Sequence, residues 1–538
     1  MSNAGNATTP SRHKLNTKAS GVIALAVMCS RVLGLGREVI FNSLFGAELM
    51  GIFRIAFRAP NLLRDLFAEG ALSTAFITVF SKKIEREGDG AAWALASKMF
   101  TLATVFMSAV TLMGIVFARP LIGILAWGFN PRDVEATVWL TQIMFPFILM
   151  VSLAALVMGM LNSKNIFGMP ALASSFFNIG SIAGGVLFGW WLDPAFGERA
   201  LAGLAIGTLI GGALQLLVQM PSLARAGFRF RPDFNWRDPG VRQILVLMVP
   251  SVIAASAVQV NVMVNSSFAS TLGKAAVTWI DSAFRLMQLP IGIFGVAVAT
   301  ITLPVVSRIA ANVDRSEFGP TLGRALRLAV FLTLPAAVGL WFLAGPIMSV
   351  IYGHYRYTAA DTQQSAYVLQ FYALGLVAYS GIKVLSPAFY AINHKWTPML
   401  VSFGSIALNI AMNWLLIFHA HIGPRGLALS TAVAASANFL VLYGLMHRIA
   451  GTLKTTRLLS TLGRCAAAAA ALGVTCWAAT TWLGGWLFDA HFVVRLVALL
   501  AVIGAAGGVY FALCLAMRVE ATQDALGAVL RKLRRRSA

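Results

Sequence analysis

The sequence predicts an all-α polytopic membrane protein of about fourteen transmembrane helices: two six-helix lobes plus an added C-terminal helix pair. Three observations predict it. Of 538 residues, 58% are hydrophobic and 12% are charged, about half the ~25% charged fraction of soluble domains. Apolar runs of about 20 residues or more, enough to cross a bilayer, recur along the chain. The basic residues that interrupt them fall mainly on one side if the chain alternates sides from a cytoplasmic start.

In order, the expected spans are roughly 19–45, 50–82, 92–118, 134–161, 168–191, 200–222 and 242–271, then 275–307, 318–345, 362–392, 396–418, 425–447, 459–484 and 492–518. Residues 1–18 form a polar cytoplasmic tail ending in Lys18, and no cleavable signal peptide is visible, because the first apolar run is too long for one. Residues 19–222 form the N-lobe with spans one to six. Residues 223–241, basic and with two prolines, form a cytoplasmic linker. Residues 242–447 form the C-lobe with spans seven to twelve, residues 448–518 the appended pair, and residues 519–538 a basic cytoplasmic tail. An even number of spans per lobe makes the lobes parallel repeats. Phe57-Arg58 before Pro60 and Phe284-Arg285 before Pro290 are a weak echo of such a repeat. Span thirteen carries the small-residue run Cys465 to Ala471, which permits close helix packing. The four cysteines, Cys29, Cys465, Cys476 and Cys514, lie in apolar spans and read as packing residues.

The net charge of +22 reads as orientation rather than nucleic-acid binding. Cytoplasmic segments and helix ends hold 28 Lys/Arg and external ones seven, which puts both termini inside. The tail Arg531 to Arg536 either sits on the anionic inner leaflet or is an ordinary charged terminus. No phosphate loop, HExxH zinc motif or extramembrane nucleotide-binding domain is present in the sequence. The expectation is a non-enzyme with no cofactor and no metal.

The remaining seven basic residues lie inside spans: Arg31, Arg37, Arg54, Arg58, Arg64, Arg285 and Lys383. A cation at the centre of a spanning helix costs roughly 2.5–3.5 kcal/mol, so six arginines would cost on the order of 15–20 kcal/mol. They must therefore face a wet cavity or local acids. Straight-helix geometry puts Arg37 about 12 Å, Arg285 about 13 Å and Arg64 about 21 Å below the external end, which allows one central site. The candidate partners are Glu38, Asp65, Glu69 and Asp281. Arg58 and Asp65, seven apart, share a face. Local pairing suits Arg54 and Arg58, which lie towards the outer end. For Arg37, Arg64 and Arg285 the cations outnumber the anions, and a guanidinium fork suits phosphate oxygens bidentately. Asn265, Asn409 and Asn413 are either amide ligands for a coupling cation or helix–helix hydrogen bonds. Lys383 has no obvious acid and can snorkel.

The first two spans carry a resemblance. Ser30-Arg31-Val32-Leu33-Gly34, Arg37-Glu38, Phe45-Gly46-Ala47, Ala59-Pro60-Asn61-Leu62-Leu63-Arg64 and Phe67-Ala68-Glu69-Gly70-Ala71 resemble the MurJ/MviN family of lipid II flippases. This family is a branch of the multidrug/oligosaccharidyl-lipid/polysaccharide exporter superfamily. Leu161-Asn162, Arg285 to Pro290, Gly292 to Ala297 and Lys383 to Tyr390 continue the resemblance along nearly the whole chain. It implies alternating access between two lobes and a groove for lipid tails on the added pair. It also implies a substrate site of Arg31, Arg37, Arg64 and Arg285 with Glu69, and Arg54, Arg58, Asn61 and Gln288 are further cavity candidates. The implied partners are lipid II or a similar lipid diphosphate, membrane lipids and cell-wall synthases, with a monomer in the bacterial inner membrane. The alternatives are export of another lipid-linked oligosaccharide or amphipathic substrate, or a non-transporting scaffold for cell-wall synthases. Two departures stand out. Gly51 replaces a usual Asp near the start of span two, and Phe284 replaces a usual Asp or Asn before the span-eight arginine.

Overall fold

The computed structural model describes residues 17–66, 72–312, 314–451 and 453–523. Within these the chain is helical, without strands. The first half contains α1 (Thr17–Leu63), α2 (Ser73–Val116), α3 (Ala118–Leu125), α4 (Pro131–Met144), α5 (Phe147–Ser163), α6 (Gly168–Leu192), α7 (Leu201–Leu217) and α8 (Met220–Arg225). The second half contains α9 (Pro239–Ser270), α10 (Lys274–Pro290), α11 (Val296–Ala311), α12 (Phe318–Tyr352), α13 (Ala359–Ala373), α14 (Leu376–Ala391), α15 (Trp396–Trp414) and α16 (Pro424–Ala450). The last two helices are α17 (Thr455–Trp482) and α18 (Phe492–Ala516).

By length and apolarity, eleven of the described helices can cross a membrane, or twelve if the bent pair α13–α14 is one span. The expected fourteen are not reached, for two reasons. α1 and α2 run on as single long helices through Gly46 and Gly88, where the backbone leaves helical geometry at φ 72° and φ 82°. These breaks fall in the gaps expected between spans one, two and three. α9, at the place of span seven, is 32 residues long but contributes only a short apolar stretch, Pro239–Pro250.

Helices within each half pack on one another, and the closest pair is α6 with α7. Glycine is the reason. A Cβ on Gly203 would lie 2.2 Å from the Gly189 nitrogen, and one on Gly207 would lie 2.3 Å from the Gly185 nitrogen. Without side chains between them the backbones touch, which is how apolar helices associate when lipid removes the hydrophobic driving force. In the second half α12 packs on α13, α14 and α17. Cys465, Ala468 and Ala469 of α17 are buried against the α12 side, with Cys476 and Cys514. Cys29 departs from the packing expectation: it is exposed.

The halves meet along α1 and α10. At the end carrying Gly46 the contact is tight. The Arg356 nitrogen donates to the Ser43 carbonyl at 3.1 Å, and the Arg356 guanidinium donates to the Phe196 carbonyl at 2.8 Å. Trp127 Nε1 donates to the Ser267 carbonyl at 2.9 Å, and Ser267 Oγ donates to the Ile124 carbonyl at 2.7 Å. At the other end the linker lies on α2. Lys98 Nζ is 2.6 Å from Asp238 Oδ2, and Asp238 also caps α9 through the Gly240 nitrogen. Burial opposes ionisation of Asp238, yet the Lys98 and Gly240 hydrogen bonds hold its carboxyl below the usual range.

Candidate functional site

Arg54, Arg58 and Arg285 are held by carboxylates of α1 and α10. A cavity of about 200 Å³ opens between the halves, walled by α1 and α10 on one side and by Phe177, Ser181 and Thr208 of α6 and α7 on the other. Arg37, Arg54, Arg58, Arg64 and Arg285 line it, with Glu38, Asn61 and Asp281.

Glu38 is the hub. Its Oε2 accepts from Arg54 Nη2 at 3.0 Å, and its Oε1 lies 3.0 Å from Arg285 Nη2 and 3.7 Å from Arg37 Nη2. Asp281 is the second anchor. It takes both hydrogen bonds from Arg58 Nη2, at 2.7 and 2.9 Å, and lies 3.7 Å from Arg54 Nη1. Arg54 adds Asn42 and Ser282 as acceptors, at 3.1 and 3.2 Å. Local spacing produces this grid. Glu38 and Asn42, Arg54 and Arg58, and Asp281 and Arg285 are each four apart, so each pair stands on one helix face.

The five arginines are not equivalent. The side chain of Arg54 is 7% exposed and that of Arg285 is 46% exposed. Arg54 and Arg58 cross-link α1 to α10, whereas Arg285, held to Glu38 through Nη2, is the most exposed of the five. Arg37 stacks over the Phe177 ring at 5.1 Å, a cation–π contact that orients it into the cavity. Arg64 donates to Asp65 Oδ1 at 2.9 Å, and Asp65 Oδ2 accepts from Gln259 of α9 at 3.2 Å. Among the described residues, five guanidinium groups and two carboxylates line the cavity. The excess among them is positive even with Asp65 added, so the site favours an anion with several oxygens in fork geometry.

A family model described as "Lipid II flippase MurJ" matches residues 41–525. The chain belongs to this family. A "Lipid II flippase MurJ" from Burkholderia cenocepacia is 36% identical over 430 residues, covering 78% of this chain and 82% of the relative. A "Probable lipid II flippase MurJ" from Rhizobium meliloti is 32% identical over 506 residues, covering 92% of each. Among solved structures, a lipid II flippase MurJ in an inward closed conformation superposes with a TM-score of 0.72 at 26% identity, covering 91% of this chain and 98% of that one. An inward-facing multidrug transporter of the MATE family shares the fold, with a TM-score of 0.67 at 16% identity, covering 81% of this chain and 99% of that one.

The site of this MurJ-family chain differs from the sequence expectation at several positions. Arg31 is exposed and does not line the cavity; its Nη1 lies 3.3 Å from where a Cβ on Gly292 would stand. Gln288 is exposed and outside the cavity wall. Arg58 pairs with Asp281 rather than with Asp65, because α10 offers its carboxylate at shorter range than the helix's own next turns. Glu69 lies outside the described residues. The sequence offers Glu38 and Asp281, the two anchors, only as possible partners, although the i,i+4 spacings from Glu38 to Asn42 and from Asp281 to Arg285 are a signal for them.

The three asparagines do converge, on one another. Asn413 Nδ2 donates to Asn265 Oδ1 at 2.8 Å and to Asn409 Oδ1 at 3.3 Å, and Ser430 Oγ donates to Asn413 Oδ1. Each amide oxygen already accepts a hydrogen bond, and the network ties α9, α15 and α16 together. Lys383 is exposed on the wall of a cleft that it shares with Asn261, Asn409 and Asn438.

Both departures from the family pattern have a packing reason. Phe284 packs on Tyr372 in a tilted arrangement, with ring centroids 5.5 Å apart. At Gly51 a Cβ would stand 2.0 Å from the Lys274 carbonyl oxygen. That obstacle is backbone and cannot rotate away, so this chain has exchanged a side chain for direct α1–α10 contact. Gly51→Ala is expected to destabilise this packing by about 1–3 kcal/mol, as overpacking does. Thermal unfolding of the purified protein reads the effect, and an unchanged midpoint would show that α1 and α10 separate freely there.

Proposed function

We propose that this chain moves lipid II, the undecaprenyl-diphosphate-linked peptidoglycan precursor, from the inner to the outer leaflet by alternating access. It is a multi-pass bacterial inner-membrane protein, and the proposed topology places both termini in the cytoplasm. The observation that carries the function is the cationic excess on a cavity shared by two halves. Arg37, Arg64 and Arg285 are assigned to the diphosphate, and Arg54 and Arg58, with Glu38 and Asp281, to the frame that holds α1 against α10. The cavity of about 200 Å³ is smaller than the ~300–1,000 Å³ of pockets that enclose a drug-sized ligand. A glycopeptide headgroup therefore requires the halves to open. With the Gly46 end closed by backbone contacts, the opening for loading lies at the opposite, cytoplasmic end.

A cation exporter would line its cavity with acids, and a scaffold has no use for buried cations. The deciding experiment is replacement of an essential lipid II flippase in a depletion strain, with leaflet-specific precursor labelling. Growth with precursor reaching the outer leaflet supports the proposal; full expression with no outer-leaflet precursor refutes it.

The driving force is assigned to the membrane potential. The asparagine amides are committed to one another, and the empty cavity is positively charged. Moving one charge through 100 mV is worth about 2.3 kcal/mol, enough to return an unloaded cationic cavity to the inside. Reconstituted flipping is expected to slow when the potential is collapsed at constant sodium gradient. Flipping that follows sodium alone would contradict this.

A further inference from the structure

A second cleft, of about 360 Å³, lies between α11, α12, α17 and the segment that follows α18. One wall is apolar and open: Ile301 is 71% and Val305 39% exposed, with Leu328 beside them. The other wall is charged. Arg327 donates through Nε and Nη2 to Glu520 Oε2, at 3.1 and 2.9 Å. Arg324 Nε lies 3.7 Å from Glu520 Oε1. Arg464, three residues on from Thr461 in the cleft wall, donates to the Met517 carbonyl at 3.1 Å.

The charges do not balance. Arg324 and Arg327 share one carboxylate, and Arg464 has a backbone carbonyl in place of an acid. Arg327 is 4% exposed, yet among the described residues its Nη1 has no hydrogen-bond partner. A buried guanidinium N–H without an acceptor costs about 1–3 kcal/mol or more, so the cleft is short of anionic oxygens. An exposed aliphatic strip beside this charge is also short of apolar cover. Water could supply only polar contacts; an anionic lipid in the surrounding bilayer supplies both.

We propose that this cleft binds one anionic phospholipid, with the phosphodiester on Arg324 and Arg327 and an acyl chain along Ile301 and Val305. Glu520 occupies part of the phosphate position and sets the affinity. A zwitterionic lipid brings its own cation and gains less. The assignment of the lipid to the cytoplasmic leaflet rests on the topology proposed above; binding itself does not require transport.

The test is native mass spectrometry of the full-length protein in detergent with equimolar phosphatidylglycerol and phosphatidylcholine. Wild type is expected to retain phosphatidylglycerol preferentially. Arg324→Gln, at a side chain 65% exposed and so safe for folding, is expected to lower that preference about fivefold, the equivalent of about 1 kcal/mol for one basic residue at a lipid surface. Glu520→Gln is expected to raise it. Asp314→Asn makes the same charge change at an exposed residue outside the cleft and is expected to leave it unchanged. An unaltered preference in Arg324→Gln, or equal effects of Glu520→Gln and Asp314→Asn, would overturn the proposal. Flipping by these variants is scored separately, so loss of the lipid site and loss of transport are told apart.

Discussion

Arg285→Ala is expected to abolish flipping while leaving the protein folded. Its side chain is the most open of the cavity arginines with a described ion pair, and its one such pair, with Glu38, is shared with Arg54 and Arg37. Removing it leaves Glu38 with two cations, so the frame survives. What is lost is the most exposed guanidinium fork of the cavity. Charge-assisted hydrogen bonds contribute about 1.5–3 kcal/mol each, so the loss of two to a diphosphate amounts to about 3–6 kcal/mol, a reduction on the order of a hundredfold or more. Arg285→Lys restores the charge but not the bidentate geometry and is expected to recover only part of the rate. Arg64→Ala is expected to act in the same direction. Leaflet-specific labelling of the precursor, with expression and unfolding measured in parallel, decides the matter. Near-normal outer-leaflet labelling in Arg285→Ala would remove this residue from the substrate site.

The second large effect is structural. Glu38→Gln is expected to destabilise the protein by about 3–5 kcal/mol, the range for removing one partner of a buried ion pair. The lower end applies, because Arg54 retains Asp281 at 3.7 Å. Arg54, 7% exposed, would keep its charge with a neutral amide in place of the closest carboxylate. A second substitution separates the buried charge from the lost contact. Arg54→Met in the Glu38→Gln background removes the stranded cation and is expected to recover much of the stability. Equal unfolding midpoints for wild type and Glu38→Gln would show that Glu38 does not hold the frame. Because the same carboxylate touches Arg285, the single variant is also expected to lower flipping at temperatures where it remains folded.

The two predictions differ in how far the sequence could have led to them. Arg285 stands out in the sequence by its place inside an apolar segment. Glu38 stands there only as an acid beside Arg37. Its partners Arg54 and Arg285 stand 16 and 247 residues away in sequence, and nothing in helical periodicity relates residues so far apart.

The local physics was legible. Apolar runs gave the helices and their order, because a lipid-spanning segment must satisfy its own backbone. Gly46 and Gly88, at positive φ, lie in the gaps where the apolar pattern predicted breaks. Cations inside those runs required a polar interior, and five of the six arginines line one cavity. Arg31, read from the same pattern, stands outside it, because a helix has a face as well as a depth.

What only the tertiary structure decided is the pairing. Arg58 meets Asp281 instead of Asp65, the three asparagines meet one another, and Gly51 meets the Lys274 backbone. Each includes a contact between different helices. Sequence spacing fixes which side chains share a face of one helix, through the 3.6-residue turn. Which face meets which partner is fixed by how closely two backbones approach, and here residues without side chains set that approach, at Gly51 and along the glycines of α6 and α7.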